Sequence, residues 1–139
     1  MKKAAASYNT KPSEFDDPRT IEAWALTEAS RRLVLAASGT AEELHFALHL
    51  NQRLWSIFQA SLADPANPLP KEIRDNVLAL SIIVDRHLLK RLADLDGTKI
   101  QPILDINRSI AEGLKLHSSS PPPETAGEQP FPSSANISV

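Results

Sequence analysis

The chain has 139 residues, of which 42% are hydrophobic and 5% aromatic, and a formal net charge of −2. This length fits one small domain. There is no cysteine, so disulfides, thiolate metal sites and a cysteine nucleophile are excluded. No segment approaches the roughly 20 apolar residues that cross a bilayer, and the first twenty residues lack the apolar run of a signal peptide. We therefore expect a cytoplasmic protein without membrane insertion. The near-neutral charge gives no electrostatic reason to expect direct binding to nucleic acid.

The first predicted helix begins after an acidic segment. Asp17 followed by Pro18 is typical of a helix start, with an N-cap side chain and a proline in the first helical position. No breaker follows until Gly39, a residue type that is common just beyond a helix end. The sequence therefore predicts a helix from about Asp17 to Ser38.

The second predicted helix starts at once. Thr40 and Glu43 form a capping box, in which each side chain accepts a hydrogen bond from an otherwise unpaired backbone N–H. The helix continues to about Ala63, where residues 64–70 (DPANPLP) introduce three prolines. Prolines remove backbone donors and disfavour helical geometry in the residue before them, so this boundary is firm.

The third helix is predicted from about residue 71 to residue 93, and Asp96-Gly97 marks the turn that follows. Thr98 and Gln101 have the spacing of a second capping box, which predicts a fourth helix up to about Leu116. Pro102 lies in its first turn, where a missing N–H costs little.

These boundaries define the domain organisation. Residues 1–16 are a predicted flexible segment, residues 17–116 a helical domain, and residues 117–139 a Pro/Ser-rich tail that we expect to be disordered. The connections between helices are short, which favours antiparallel neighbours. The predicted fold is therefore all-α, a small antiparallel four-helix bundle.

Helix two carries apolar residues on two opposite faces. One is an ordinary core face, formed by Leu44, Ala47, Leu48, Trp55, Phe58 and Leu62. The other consists of Phe46, Leu50 and Ile57.

Helix three repeats this arrangement. Its first apolar face is formed by Ile73, Val77, Leu80 and Val84. Its second is formed by Leu78, Ile82 and Leu89.

The outer two helices are expected to bury one face each. For helix one this face is expected to be Ile21, Trp24, Ala25, Ala29 and Leu35. For helix four it is expected to be Ile100, Ile103, Leu104, Ile110 and Leu114.

The doubled faces allow two interpretations of about equal weight. Helices two and three are either central and covered on both sides, or one second face is an exposed groove for an amphipathic helix of another protein. The second interpretation makes Phe46, Leu50 and Ile57, or Leu78, Ile82 and Leu89, candidate partner-binding residues.

Few residues are candidates for chemistry. His45 and His49 have a spacing that can place two imidazoles on one metal ion, but no third ligand can be assigned. Asp85 and His87 point to different sides of a helix, so Asp85 is expected to pair with a nearby Lys or Arg instead. No phosphate-binding loop, nucleophile elbow or pair of catalytic carboxylates is present. We therefore predict a protein that is not an enzyme and has no cofactor or metal.

Four segments resemble the FlaF family of flagellar biosynthesis regulators. They are EAWALTEASRRL (22–33), NQRLWSIFQASLADPANPLP (51–70), IRDNVLALSIIVDRHLL (73–89) and ILDINRSIAEGL (103–114). The resemblance covers residues 8–116 and rests on a long, ordered combination: an apolar aromatic cluster, the proline-rich loop and the SIIVDRH segment.

The resemblance implies a non-enzymatic protein required for flagellin production and secretion, which binds flagellin in the cytoplasm as an export chaperone. Unassembled flagellin has disordered ends that form amphipathic helices, and these would fit an exposed apolar face. An alternative implied by the same family is a regulatory adaptor that controls flagellin translation through FlbT, which acts on flagellin messenger RNA. The family provides no catalytic motif.

Overall fold

The computed structural model describes residues 11–118. Within that range the chain forms α1 (Pro18–Ala37), α2 (Ala41–Ala63), α3 (Lys71–Asp94), a 3-10 turn (Gly97–Lys99) and α4 (Gln101–Leu116). Each helix packs against the next one in the chain, and α4 closes the ring against α1. The fold is the expected antiparallel four-helix bundle. No helix among the described residues is both long and apolar enough to span a membrane.

Two of the predicted helix starts are confirmed in detail. Asp17 Oδ1 accepts a hydrogen bond from the backbone N of Arg19 at 2.8 Å. Thr40 Oγ1 accepts from the N of Glu43 at 3.0 Å, and Glu43 Oε1 accepts from the N of Thr40 at 2.9 Å. Both helices therefore begin where their sequence places side-chain acceptors beside unpaired N–H groups.

The predicted capping box of Thr98 and Gln101 is wrong. Asp96 Oδ1 accepts from both the N and the Oγ1 of Thr98, at 3.0 and 2.6 Å, and caps the 3-10 turn instead. Helix α4 starts only at Gln101, has no side-chain cap, and contains Pro102 as its second residue. The Gln101 side chain donates to Asp105. The aspartate before the glycine competes successfully for the Thr98 N–H because its shorter side chain closes an Asx turn.

The bundle core contains the predicted inner faces of three helices. All six residues assigned to the core face of α2 are buried. In α3 the buried set includes Ile73, Val77 and Val84, whereas Leu80 is partly buried and packs against the core. In α4 the expected face is found, with Leu104 again partly buried at its edge.

The face predicted for α1 is largely wrong. Of the expected residues only Ala29 is buried, and Leu35 is 62% exposed. The buried face consists of Arg19, Ala23, Leu26, Ala29, Leu33 and Ala36. Three of these are alanines, and small side chains let α1 approach its neighbours closely. The prediction gave too much weight to the larger apolar residues, Trp24 and Leu35, that point elsewhere.

A buried polar network joins three helices at the centre of the core. Asn107 and Asn51 are both fully buried. Asn107 Oδ1 accepts from Trp55 Nε1 at 2.9 Å, and Asn107 Nδ2 donates to Asn51 Oδ1 at 2.9 Å and to Ser30 Oγ at 3.0 Å. Asn51 Nδ2 donates to the carbonyls of Ala29 and Ala47. Because both amide groups are satisfied in this way, the network costs little and fixes how α1, α2 and α4 align.

Two buried arginines lie near helix ends, Arg91 at the end of α3 and Arg19 at the start of α1. Arg91 Nη1 donates to the carbonyl of Lys99 at 3.2 Å while its other nitrogens bind Asp94, which holds the 3-10 turn against α3. Arg19 Nη2 donates to Glu22 Oε2 at 2.8 Å. Burial raises the pKa of Glu22 even though Arg19 opposes this shift. Both arginines lie on the buried face of their helix, among apolar residues. Hydrophobic periodicity alone does not predict that a charged residue is buried there.

The predicted terminal segments lie mostly outside the described residues. Residues 1–10 of the segment 1–16 and residues 119–139 of the tail 117–139 are not described. Of the rest, Ser13 to Asp16 form a turn in which Ser13 N donates to Asp16 Oδ2 at 2.8 Å. The flexibility of the first segment and the disorder of the second stay predictions.

Candidate functional site

An apolar groove lies between the end of α1 and the start of α2. Gly39 and the capped start of α2 turn the chain sharply, so the two helices run side by side in opposite directions. The groove has a volume of about 440 Å³. Its walls are formed by Arg32, Leu35, Ala36, Glu42, Glu43, Phe46, Ala47 and Leu50. Small alanines form part of the groove, and larger apolar residues stand beside them.

Two side chains leave much of their apolar surface in water. Phe46 is 70% exposed and Leu35 is 62% exposed. Leu50 is partly buried. A contiguous exposed apolar surface with polar residues around it is typical of an interaction site.

The structure divides the candidate residues of α2. Phe46 and Leu50, one helical turn apart, both line the groove. Ile57 is 60% exposed but is not among the groove-lining residues. Leu35 completes the groove from α1, in contrast to its expected place on the buried face of that helix.

The candidate residues of α3 form a separate surface. Ile82 and Leu89 are 55% and 58% exposed, and Ile83 beside them is 43% exposed. Leu78 is partly buried and packs against the core. The second apolar faces of α2 and α3 are thus both largely exposed in the isolated chain, and the compact interpretation, in which they are covered, does not hold. Their role in binding a partner stays a prediction.

Charged residues stand at the edges of the groove. Arg32 Nε donates to Glu28 Oε2 at 3.0 Å, and Arg31 Nε donates to Glu28 Oε1 at 3.0 Å. The hydrogen bond from Arg31, helped by Arg32, lowers the pKa of Glu28 to about 2 from its ordinary value of 4.5. On the α2 side stand Glu42 and Glu43, both exposed. The groove therefore has a cation on one wall and two carboxylates on the other.

The remaining candidate residues, His45, His49 and Asp85, do not have the arrangements that were considered for them. The rings of His45 and His49 lie edge to face with centroids 4.5 Å apart. No group of three or more potential metal ligands occurs among residues 11–118. Asp85 Oδ2 accepts from Gln59 Nε2 at 2.9 Å. The expected ion pair of Asp85 with Lys or Arg is absent from the ion pairs of the described part of the chain.

Comparison with protein families decides the relationship. The model for the flagellar protein FlaF matches residues 4–114, which include α1, α2, α3 and nearly all of α4. The chain belongs to the FlaF family. Membership connects the chain to the flagellum. Comparisons with curated proteins and with solved structures find no match.

Proposed function

We propose that this FlaF-family chain is a non-enzymatic chaperone that binds flagellin in the cytoplasm and is required for flagellin synthesis and flagellum assembly. Family membership supports a role in the flagellum. The groove of Leu35, Phe46 and Leu50 supports a role in binding a polypeptide. The terminal segments of unassembled flagellin, which form amphipathic helices, are the proposed occupants.

The exposure of Phe46 and Leu35 is the observation that carries the proposal. Burying such a side chain against a partner contributes about 1.5 to 3 kcal/mol. Ordering a flexible segment on binding costs about 2 to 5 kcal/mol of that gain. Two or three anchors supply about 3 to 9 kcal/mol before this cost, so the binding is readily reversible, which suits a chaperone that must release its cargo for export.

The test is the variant Phe46→Asp. The side chain is mostly in water, so the substitution should leave the helix content and the melting temperature nearly unchanged. It places a charge in the groove, which would be desolvated by a bound helix. We expect it to abolish co-purification with flagellin, while the unmodified chain retains flagellin.

A matched control lies on the same helix. Ile57 is exposed to a similar degree but lies outside the groove, so Ile57→Asp should bind flagellin normally. Equal binding by Phe46→Asp and the unmodified chain, measured on folded proteins, would refute the groove as the flagellin site. Loss of binding in both variants would instead assign the site to the whole outer face of α2.

The separate surface of α3 favours a second candidate function. Ile82, Ile83 and Leu89 are exposed and do not line the groove, and we propose this surface for a regulatory adaptor that contacts FlbT. A pull-down with purified FlbT in the absence of flagellin tests it. Retention of FlbT that Leu89→Asp removes supports the adaptor, and no retention eliminates the direct contact.

A further inference from the structure

The groove carries opposite charges at two levels along its axis. Asn51 Nδ2 donates to the carbonyl of Ala29 at 3.2 Å, which places these two residues at the same height in the antiparallel pair. Arg32 is three residues nearer the turn than Ala29, so it stands at about the height of residues 47–48 on α2. Glu42 lies about five residues closer to the turn, which corresponds to roughly 8 Å along a helix axis.

The two charges differ in how far the protein itself neutralises them. Arg32 shares Glu28 with Arg31, so this cluster of three has a net charge of +1. Glu42 and Glu43 have no Lys or Arg within ion-pair distance among the ion pairs of residues 11–118. Glu43 accepts the backbone N–H of Thr40. The end of the groove nearest the turn therefore carries two carboxylates that no Lys or Arg neutralises, and the dipole of α2 offsets their negative charge only in part.

The negative charge lies beside the apolar surface that a partner helix would bury, so it affects which helices bind. A partner helix lying on Phe46 and Leu50 would bring its flanking residues over Glu42 and Glu43. An acidic residue there would face two carboxylates at close range, and like charges in such a position disfavour the wrong partner strongly. A basic residue would find two carboxylates there without a Lys or Arg partner of their own, Glu42 and Glu43, although Glu43 also accepts the N–H of Thr40.

We propose that the groove selects a helix by charge as well as by hydrophobicity. The occupant presents a basic side chain to Glu42 and an acidic side chain to Arg32, one to two turns apart, with apolar anchors between them. This inference rests on the proposed binding of flagellin and specifies which part of flagellin binds: a terminal amphipathic segment with this order of charges. Hydrophobic anchors supply most of the affinity, and the charges set the register and the choice of segment.

The test compares Glu42→Lys with Glu72→Lys. Both glutamates are exposed in the first turn of a helix, so both substitutions lose the same interaction with the helix dipole. Only Glu42 lines the groove. The dissociation constant for purified, unpolymerised flagellin is measured by calorimetry at about 0.05 M and about 0.3 M salt.

We expect Glu42→Lys to weaken flagellin binding about fivefold at the lower salt concentration, with a smaller effect at the higher one. Glu72→Lys should bind like the unmodified chain. A series of flagellin variants, each with one Lys or Arg of a terminal segment replaced by Glu, should contain one that restores the affinity of Glu42→Lys. That rescue identifies the residue that lies over Glu42.

The outcomes separate this inference from the proposed function. If Phe46→Asp abolishes binding while Glu42→Lys behaves like Glu72→Lys, flagellin occupies the groove but charge selection is refuted. If Phe46→Asp still binds flagellin, both proposals fail. If the groove is covered by a second copy of the chain, ultracentrifugation shows a dimer that Phe46→Asp dissociates, and the proposed occupant is wrong.

Discussion

The inner and outer faces of α2 both carry large apolar side chains, but only the inner face is buried by the neighbouring helices. The inner face buries Trp55 and Phe58, whose rings meet edge to face with centroids 5.6 Å apart. The outer face leaves Phe46 and Ile57 mostly in water. The inner face also contains Asn51, which reaches α1 and α4 through hydrogen bonds. Both faces are hydrophobic, so hydrophobicity does not distinguish them. The polar residue Asn51, which lies at helical spacing within one of the two faces, identifies that face as the inner one.

The adjacent residues Phe58 and Ile57 test this comparison most directly, with the largest expected effect. Phe58→Ala should reduce the free energy of unfolding by about 3 to 5 kcal/mol, because it leaves a cavity in the core. Ile57→Ala should change it by no more than about 0.5 kcal/mol, since alanine's helix propensity offsets the lost contacts. Urea denaturation followed by circular dichroism measures both. Similar losses in the two variants would mean that both faces are core.

The central asparagine provides the next test. Asn107→Ala removes the acceptor of Trp55 Nε1 and the donor to Asn51, so we expect a loss of about 2 to 4 kcal/mol from the cavity and the unpaired groups. Asn76 is exposed on α3, and Asn76→Ala is the control that should unfold at nearly the same urea concentration as the unmodified chain. An equal stability of both variants would show that the network does not hold the helices together.

A smaller effect is expected at the surface, where Glu28 binds two arginines. The pKa of Glu28 in the folded chain is about 2, below its ordinary 4.5. A lowered carboxyl pKa stabilises the fold above pH 4.5, and this contribution disappears as the pH falls towards 2. Glu28→Gln should therefore lower stability by at most about 1 kcal/mol at neutral pH, and the difference from the unmodified chain should vanish at low pH. Melting curves at several pH values would contradict this if the difference stayed constant.

The starts of α1 and α2 could be predicted from the sequence because capping interactions are local. Asp17, Thr40 and Glu43 act within four residues of the groups that they cap, so spacing alone identifies them. The Thr98 start could not be identified in this way, since Asp96 offers a competing acceptor for the same N–H. The core face of α2 was predictable as well, because its six apolar residues, five of them large, repeat at helical spacing.

Other features depended on how the helices pack together. Two apolar faces on one helix are equivalent in a helical wheel, and only the packing of α1, α3 and α4 against α2 decides that Trp55 is buried and Phe46 is exposed. Leu35 became part of the groove because α1 turns its alanine face inward, which the wheel did not reveal.

The sequence by itself determined four helices, their antiparallel order and the membership of the FlaF family, because capping, proline placement and residue identity act locally or along the chain. The tertiary structure alone decided which apolar face is covered, where the charged residues stand around the groove, and how Asn51 and Asn107 meet. These depend on distances between segments far apart in the chain, which are fixed only when the helices pack around one core.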